Sequence, residues 1–213
     1  MIAIIDYEAG NQTSVRRAFD FLRTPAVITS QPRELWAAQG VVFPGVGAAG
    51  QAMERLKKTG LDQEIAALVA AGRPFLGVCL GCQIMLERSE ENATTTLGLL
   101  PGQTVRFDPQ TLDQDRQPIR VPHMGWNEVQ LVKPTCLWEG IGPLDQFYFV
   151  HSYYPAPASD LTLGLTEHGH KFAAFLGRDG LWAVQFHPEK SGPPGLRLLK
   201  NFAAYCQKKA HAE

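Results

Sequence analysis

Two stretches of the sequence carry residue types that could together perform nucleophilic catalysis. The first, Gly77-Val78-Cys79-Leu80-Gly81, follows an apolar run and has the form glycine–x–nucleophile–x–glycine. Glycines two positions before and after a nucleophile permit a sharp turn that presents its side chain at the edge of a sheet. The start of the helix that follows such a turn also favours a thiolate, because its backbone N–H groups are free. This pattern predicts that Cys79 is a nucleophile.

The same stretch permits two other interpretations. Cys82 stands three positions after Cys79, so the two could form a redox-active Cys-x-x-Cys pair, or Cys79 could be an inert buried thiol. A redox pair gives no role to Gly77, which favours the nucleophile. Neither Cys136 nor Cys206 has a partner at the spacing of metal ligands. We therefore expect neither a metal nor a cofactor.

The second stretch supplies a base and a group to orient it. His187 follows the apolar run Leu181–Phe186, and Glu189 stands two positions later, after Pro188. A thiol nucleophile needs a base, and the base needs a partner that fixes its tautomer. Proline fixes the backbone between the two side chains, so that the carboxylate could accept the imidazole N–H and stabilise the imidazolium. We predict a triad of Cys79, His187 and Glu189.

A glycine-rich stretch, residues 45–50 (GVGAAG), matches the dinucleotide fingerprint G-x-G-x-x-G. Dinucleotide binding would require an acidic residue at the end of the next strand, where Cys79 stands instead. Beside a nucleophile, such a loop has another use, since its N–H groups can stabilise an oxyanion. Each such donor contributes about 3 kcal/mol. We expect Val46, Gly47 and Leu80, the residue after the nucleophile, to form this oxyanion hole.

Alternating short apolar runs and amphipathic segments in the first half indicate parallel βαβ units. The predicted strands are 2–7, 26–29, 40–45 and 74–78, and the predicted helices are 13–23, 51–57 and 61–71. The second half has strands with short connections, which indicate antiparallel or mixed pairing, and a last helix. These strands are 125–132, 147–153, 161–168, 171–177 and 181–186, the helix is 196–208, and 108–118 reads as an exposed loop.

These elements predict an α/β fold in a single domain, residues 1–213. Its central sheet is open and mostly parallel, with helices on both faces and an antiparallel extension from the second half. The early strands are almost entirely apolar, as strands covered on both faces are. A chain of 213 residues is long enough for one well-buried domain of this kind.

Composition excludes several functional classes. The chain has 20 basic and 21 acidic residues, a net charge of −1 and no basic stripe, so nucleic acid is not expected as a partner. The N-terminus lacks the charged flank and apolar core of a signal peptide, and no apolar run approaches the roughly 20 residues of a membrane span. We therefore expect a cytoplasmic protein whose four cysteines are thiols and which does not bind a membrane.

Taken together, the motifs resemble those of a known family. The cysteine elbow GVCLGCQ (77–83), the loop PGVG (44–47) and FHPE (186–189), in this order and spacing, resemble class I, triad-type glutamine amidotransferases. Within that class, VPHMGWNEV (121–129) and FVHSY (149–153), with FHPEKSG, are similar to the glutaminase subunits of imidazole glycerol phosphate synthase. The resemblance implies a flavodoxin-like fold and hydrolysis of L-glutamine to glutamate and ammonia through a thioester on Cys79.

The resemblance also implies roles for residues that spacing alone does not single out. Glutamine would be held by Gly45, Gln83, Glu91, His151, Ser152 and Tyr153. A docking face for a partner subunit would include Asn11, Met124, Trp126 and Lys190. The chain departs from the family at Glu8-Ala9, where Gly-x is usual, and at Cys82, where methionine is common. Cys82 then reads as a small apolar substitute rather than a second reactive thiol.

The implied partner is a (β/α)₈-barrel cyclase, joined to this chain in a heterodimer. It would use the ammonia to form imidazole glycerol phosphate and aminoimidazole carboxamide ribotide in histidine biosynthesis. Two alternatives remain open at this point. The glutaminase could serve another synthase, such as anthranilate or aminodeoxychorismate synthase, or the chain could be a non-catalytic regulatory domain. The PHMGW segment argues against the first alternative, and the intact triad argues against the second.

Overall fold

The centre of the fold is an eight-stranded sheet, seen in a computed structural model that describes residues 1–8 and 10–211. The strands, in chain order, are β1 (Ile2–Ile5), β2 (Ala26–Thr29), β3 (Gly40–Gly45), β4 (Phe75–Cys79), β5 (Arg88–Ser89), β6 (Thr94–Thr95), β7 (Gly102–Arg106), β8 (His123–Glu128), β9 (Gln130–Leu131), β10 (Gln146–His151), β11 (Tyr153–Pro157), β12 (Thr162–His168), β13 (His170–Arg178) and β14 (Leu181–Val184).

Helices flank this sheet on both faces. They are α1 (Gln12–Phe21), α2 (Pro32–Ala37), α3 (Ala49–Thr59), α4 (Leu61–Ala70), α5 (Leu80–Ile84) and α6 (Gly192–Ala210). Short 3₁₀ turns lie at Glu91–Ala93, Cys136–Trp138, Ser159–Leu161 and Pro188–Lys190. None of the helices in residues 1–8 and 10–211 has the length and apolar character needed to cross a membrane.

The order of strands in the main sheet is β2-β1-β3-β4-β14-β13-β12-β9. The pairs from β2 to β14 are parallel, and those from β14 to β9 are antiparallel. This confirms the predicted mostly parallel sheet with an antiparallel extension. Because β14 enters the sheet beside β4, a strand from the end of the chain lies next to the strand that carries Cys79.

Two apolar cores lie on opposite faces of the sheet, because successive residues of a strand point to opposite sides. Ile2 and Ile4 of β1 pack into the core that includes α1 and α6, whereas Ala3 and Ile5 pack into the core under α3 and α4. The sheet is therefore covered on both sides, as the apolar composition of its strands predicts.

Two smaller sheets lie beside the main one. β8 and β10 form an antiparallel pair, and β11-β7-β5-β6 form a four-stranded sheet. The sequence did not predict the four-stranded sheet, because its strands are short and partly polar and show little apolar periodicity. It also did not predict α2, and it placed single strands at 125–132 and 147–153. The structure divides the first at Val129 and the second at Ser152.

The remaining predicted boundaries differ by a few residues. α3 begins at Ala49 rather than residue 51, and α6 begins at Gly192 rather than residue 196, with proline in its first turn. The predicted loop 108–118 is mostly exposed, with one isolated bridge between Leu112 and Pro118. Of the departure at Glu8-Ala9, Ala9 lies outside the described residues, so its effect on the loop stays an open expectation.

Candidate active site

The turn between β4 and α5 holds Cys79 in strained backbone geometry. Its φ is 55° and its ψ is −111°, a region that side chains other than glycine rarely adopt. The flanking glycines permit this turn, because a Cβ on Gly81 would collide with the carbonyl oxygen of Phe43, and one on Gly77 with Sδ of Met85. The predicted elbow is therefore present, and Cys79 is 6% exposed.

His187 follows β14 and is fixed through its backbone. Its N–H donates to Tyr148 O at 2.9 Å, and its carbonyl oxygen accepts from Ser191 Oγ at 2.6 Å. Ser191 Oγ also accepts from Tyr148 N at 3.0 Å, so that β10 and the turn after β14 are joined around the histidine. The imidazole ring is buried as a result.

Glu189 and Asn11 together determine the tautomer of this imidazole. Glu189 Oε1 lies 2.8 Å from His187 Nδ1 and also accepts from Asn11 Nδ2 at 2.8 Å. An Nδ1–H that donates to the carboxylate leaves Nε2 as the basic nitrogen. Nε2 is buried and has no hydrogen-bond partner within residues 1–8 and 10–211. It is therefore available to exchange a proton with a group in the adjoining cavity.

Charge interactions overcome the effect of burial on His187. Burial alone would lower the pKa of the imidazole, but a Cys79 thiolate and the Glu189 carboxylate outweigh it, and the pKa is raised. The raised pKa suits an imidazole that accepts a proton and holds it against a carboxylate.

A cavity of about 410 Å³ brings together most of the predicted site residues. The predicted residues that line it are Cys79, His187, Val46, Gly47, Leu80, Gln83, Glu91, His151, Ser152 and Tyr153. Gly45 lies beside it, opposite Cys79 in the β3–β4 register, and Glu189 lies behind His187. A larger cavity of about 820 Å³, near Cys136 and Tyr205, contains no member of the triad.

The loop after β3 forms one wall of this cavity. Val46 and Gly47 are exposed, and Gly47 has a φ of 93°, which strongly favours glycine. Leu80 N–H is the first N–H of α5 and so has no partner within that helix. The glycine loop and the first residue of α5 therefore border the same cavity as Cys79, as the predicted oxyanion hole requires. The G-x-G-x-x-G stretch thus borders the nucleophile.

Gln83 projects from α5 into a network of amide groups. Its Nε2 donates to Tyr153 O at 2.8 Å and to Gln185 Oε1 at 2.9 Å. Gln185 is fully buried, and its Nε2 donates to Cys79 Sγ at 3.8 Å. Both amide hydrogens of Gln83 are therefore used within the protein. Its remaining oxygen is the atom that a ligand's ammonium group could approach.

The carboxylate of Glu91 contacts the first residue of α3, and Glu91 also lines the cavity. Its Oε2 accepts from Ala49 N at 2.6 Å, at the first turn of the helix that follows the glycine loop. A carboxylate is stabilised there by the helix dipole. Because this bond uses only one carboxylate oxygen, the other can accept from a ligand in the cavity.

His151 belongs to a chain of hydrogen bonds among buried rings. Asn127 Nδ2 lies 3.2 Å from His123 Nε2, His123 Nδ1 lies 3.0 Å from His151 Nε2, and His151 Nδ1 lies 2.7 Å from Tyr153 O. Burial lowers the pKa of both histidines to about 3, helped by charge repulsion from His168 on His123 and from His123 on His151. Both are neutral at physiological pH, so each donates through Nδ1 and accepts through Nε2. The chain fixes the carbonyl of Tyr153.

The residues expected at a docking face lie on β8 and near the triad, and Met124 is opposite Val150, which lines the cavity. Met124 and Trp126 alternate along β8 and are 62% and 55% exposed. Lys190 is exposed, directly after Glu189. Asn11 is half-buried, and its amide contacts the triad instead of pointing outward. Asn11 therefore connects this surface to the catalytic carboxylate.

The buried position of Cys82 argues against a redox-active pair with Cys79. Cys82 is fully buried in α5, and both cysteines are free thiols. Burial, followed by the nearby Cys79 charge, raises the pKa of the Cys82 thiol well above its usual range. A thiol held protonated is a poor partner for disulfide exchange. The surroundings of Cys82 suit a small apolar side chain.

Sequence reasoning missed several residues that the structure places at the site. Gln185, which contacts the sulfur, stands between β14 and the FHPE motif, so its position directly before that motif was the available sign. Tyr7 is buried beside Gly45, and its hydroxyl has no partner in the described part of the chain. His123 had no sign of its own, since only the fold pairs it with His151. No group of three or more His, Cys, Asp or Glu residues in the described ranges could hold a metal.

Comparisons with known proteins agree with this geometry. The family described as glutamine amidotransferase class-I matches residues 3–206. An imidazole glycerol phosphate synthase subunit HisH from Nitratidesulfovibrio vulgaris is 57% identical over 213 residues, with all of both chains covered. Another from Desulfitobacterium hafniense is 44% identical over 212 residues, covering 99% of this chain and 97% of the other. These relatives do not favour a role with a different synthase.

A solved structure shows the same fold at low sequence identity. A crystal structure of a glutamine amidotransferase from Thermotoga maritima has a TM-score of 0.61 at 16% identity, covering 98% of this chain and 84% of that one. The extent of the family match and the identity to the relatives exceed what fold similarity alone would give. The chain belongs to the class-I glutamine amidotransferases and, within them, to the family of imidazole glycerol phosphate synthase HisH subunits.

Proposed function

We propose that this chain hydrolyses L-glutamine to glutamate and ammonia, and supplies the ammonia to a cyclase that makes imidazole glycerol phosphate in histidine biosynthesis. The observation that carries this proposal is one cavity lined by both Cys79, with its strained backbone, and His187, whose imidazole contacts Glu189. The ring-forming chemistry belongs to the partner, and this chain provides the nitrogen.

The reaction begins with the carboxamide of glutamine against the sulfur. His187 Nε2 takes the thiol proton, and the thiolate attacks the amide carbon. Glu189 holds the imidazolium that results, through the Nδ1–H, and Asn11 holds the carboxylate in place. His187 then protonates the leaving nitrogen, so that ammonia departs and a γ-glutamyl thioester stays on Cys79. Water, activated by the same histidine, releases glutamate.

Negative charge on the amide oxygen develops beside two sets of backbone donors. Leu80 N–H and an N–H of the glycine loop, at Val46 or Gly47, would stabilise it, which the position of all three residues on the cavity wall supports. Each such donor contributes about 3 kcal/mol to the transition state. Gly47 adopts a φ of 93° without steric cost, and no atom lies within 4 Å of where its Cβ would be, so the neighbouring peptide has room to rotate.

The α-ammonium and α-carboxylate groups of glutamine would be bound by the part of the cavity that Gln83, Glu91 and residues 151–153 line. The free oxygen of Gln83 and the second oxygen of Glu91 can accept from the α-ammonium group. Backbone and side-chain donors of residues 151–153 can hold the α-carboxylate, in a segment that the His123–His151 hydrogen bond keeps fixed. A carboxamide with both α-groups is therefore the substrate class that this cavity suits.

The partner is a (β/α)₈-barrel cyclase that docks on Met124, Trp126, Lys190 and the surface around Asn11. Ammonia released into bulk water near neutral pH would become non-nucleophilic ammonium. A partner that covers the cavity mouth and leads ammonia away from water is therefore needed. The exposed Met and Trp next to the site are of the residue types that interfaces favour. We place the complex in the cytoplasm.

The test measures glutamate released from L-glutamine by the purified chain, alone and with a cyclase partner that holds its own ligand. We expect release that rises with the partner and is abolished by Cys79→Ser. Glu189→Gln should reduce it by about a hundredfold or more, since the tautomer of His187 is lost. Retained activity in Cys79→Ser, or no activity under any partner condition, would refute the proposal.

A further inference from the structure

We propose that Gln185 is a further catalytic residue, whose side-chain amide donates a hydrogen bond to the Cys79 sulfur and stabilises its thiolate form. This assignment rests on the proposed function, in which that sulfur is the nucleophile. The nearest sign in the sequence is only that Gln185 directly precedes the FHPE motif. The contact itself, 3.8 Å from Nε2 to Sγ, arises because β14 lies beside β4.

The position of Gln185 is fixed by its backbone and by complete burial. It follows β14, and its N–H donates to Ala174 O of β13 at 2.9 Å. The residue has no solvent exposure, so its amide cannot hydrogen-bond to bulk water. A buried amide without partners would cost about 1–3 kcal/mol. The amide oxygen and the amide nitrogen of Gln185 must therefore both hydrogen-bond to groups inside the protein.

The orientation of the amide follows from its neighbour. Gln83 Nε2 donates at 2.9 Å to Gln185 Oε1, which identifies the oxygen end of the Gln185 amide. The nitrogen end is therefore the one that faces Cys79 Sγ. A hydrogen bond to a charged acceptor in a buried site is stronger than one to a neutral group. The contact therefore stabilises the thiolate more than the thiol.

The Gln185 N–H would stabilise negative charge on the Cys79 sulfur in two steps of the reaction. Before attack, the proton that leaves Cys79 resides on His187, and the sulfur carries a negative charge that the Gln185 N–H stabilises. When water attacks the thioester carbon, the carbon–sulfur bond breaks and the electron pair returns to the same sulfur. Gln185 can thus stabilise the leaving group of the second half-reaction as well. Its neutral amide does so without adding charge near His187.

The same network connects the sulfur to the substrate-binding wall. Gln83 donates to Gln185 and also to Tyr153 O, so one side chain contacts both the thiolate donor and the segment that holds glutamine. Thr104 Oγ1 donates to Gln83 O at 3.1 Å and is itself fully buried. The bond from Thr104 therefore helps to fix Gln83, the residue that orients the Gln185 amide.

The test follows alkylation of Cys79 by iodoacetamide across pH, which requires neither glutamine nor a partner. Gln185→Met keeps the length of the side chain but removes the donor. We expect the pH of half-maximal alkylation to rise by about one unit, equivalent to about tenfold less thiolate near neutral pH. The plateau at high pH should not fall. Thr166→Val, which removes a buried hydrogen bond to Glu128 O elsewhere, should leave the profile unchanged.

The midpoint of the alkylation profile separates a loss of thiolate stabilisation from a packing defect. A Gln185→Met profile with an unchanged midpoint would overturn the proposal, whether or not the plateau falls, because a packing defect alters access without altering ionisation. If that variant does not fold, Gln185→Asn withdraws the donor while keeping an amide, and its midpoint should move in the same direction. A glutaminase assay that failed while the midpoint still moved would refute the proposed function and leave the thiolate donor intact.

Discussion

At the scale of single residues, the site contains polar atoms that the resting protein leaves without partners. Within residues 1–8 and 10–211, these include His187 Nε2, Glu189 Oε2 and the Tyr7 hydroxyl. The lack of a protein partner on the first suits the proposed exchange of a proton with the Cys79 sulfur. The Tyr7 hydroxyl has no step in the mechanism, and burial together with the Cys79 charge raises its pKa, so that it stays protonated.

Removing that hydroxyl should therefore stabilise the protein. Tyr7→Phe keeps the ring that packs against Phe43 and removes a buried donor with no partner. We expect the free energy of unfolding to rise by about 1 kcal/mol. Denaturant unfolding followed by fluorescence measures it. A loss of stability of similar size would show that the hydroxyl is satisfied in solution and that this account of Tyr7 is wrong.

At the scale of elements, the elbow depends on how closely α5 approaches β3. Gly81→Ala would place a Cβ against the carbonyl of Phe43, which belongs to the sheet and cannot move aside. We expect a loss of about 2–3 kcal/mol in stability, and slower alkylation of Cys79 as the turn is displaced. Gly142→Ala is the matched control, because its Cβ would have ordinary contact distances. Equal stability of the two variants would contradict this packing.

The hydrogen-bonded histidines of β8 and β10 should make stability depend on pH. The pKa values of His123 and His151 are about 3 in the folded protein, below the ordinary 6.5. The unfolded chain therefore binds more protons between these values, and stability falls as pH drops from about 6.5 towards about 3. At pH 5 each histidine should cost on the order of 2 kcal/mol.

His123→Gln should weaken this pH dependence, whereas His211→Gln, at an exposed position, should not. Unfolding free energies measured by denaturant titration at pH 7 and pH 5 give the comparison. If His123→Gln and the wild-type protein lost the same stability between pH 7 and pH 5, the imidazole of His123 would have to accept a proton in the folded state. That result would remove the basis for a neutral hydrogen-bond chain at residues 123–153.

Local patterns in the sequence predicted some strands and motifs correctly and missed others. β2 and β3 have the predicted bounds, and the elbow, the glycine loop and the FHPE turn meet as expected, because each is a local pattern at the end of an apolar strand. The four-stranded sheet escaped prediction, since strands of two to five residues with polar side chains have no apolar period. Contacts such as Gln185 with Cys79 depend on the neighbouring positions of β14 and β4, which no local pattern encodes.

At the scale of the whole molecule, the antiparallel pair β8–β10 connects an exposed apolar surface to the base. Trp126 packs against Tyr148 with ring centroids 6.0 Å apart, and Tyr148 O accepts from His187 N. A partner seated on Met124 and Trp126 would therefore contact a strand that also holds His187 in place. The proposed docking face would then have a physical connection to the imidazole.

Trp126→Ala should weaken the complex with the cyclase by about 2 kcal/mol, or roughly thirtyfold in Kd, as buried aromatic residues at interfaces do. Alkylation of Cys79 in the free chain should be unchanged. Phe21→Ala is the control, because Phe21 is 76% exposed at the far end of α1. Titration calorimetry with the purified cyclase measures both. Equal affinities for the two variants would place the docking face elsewhere.

The central claim is that Cys79, activated by His187, forms a covalent bond with the carbonyl carbon of glutamine. The most direct measurement treats the chain, with its cyclase partner and the partner's ligand, with an electrophilic diazo-ketone analogue of glutamine and maps the adduct by peptide mass spectrometry. The account predicts one adduct per chain, on Cys79, prevented by excess glutamine and strongly slowed in His187→Asn. An adduct on Cys82 or another residue, or labelling of Cys79 that glutamine does not prevent, would contradict it.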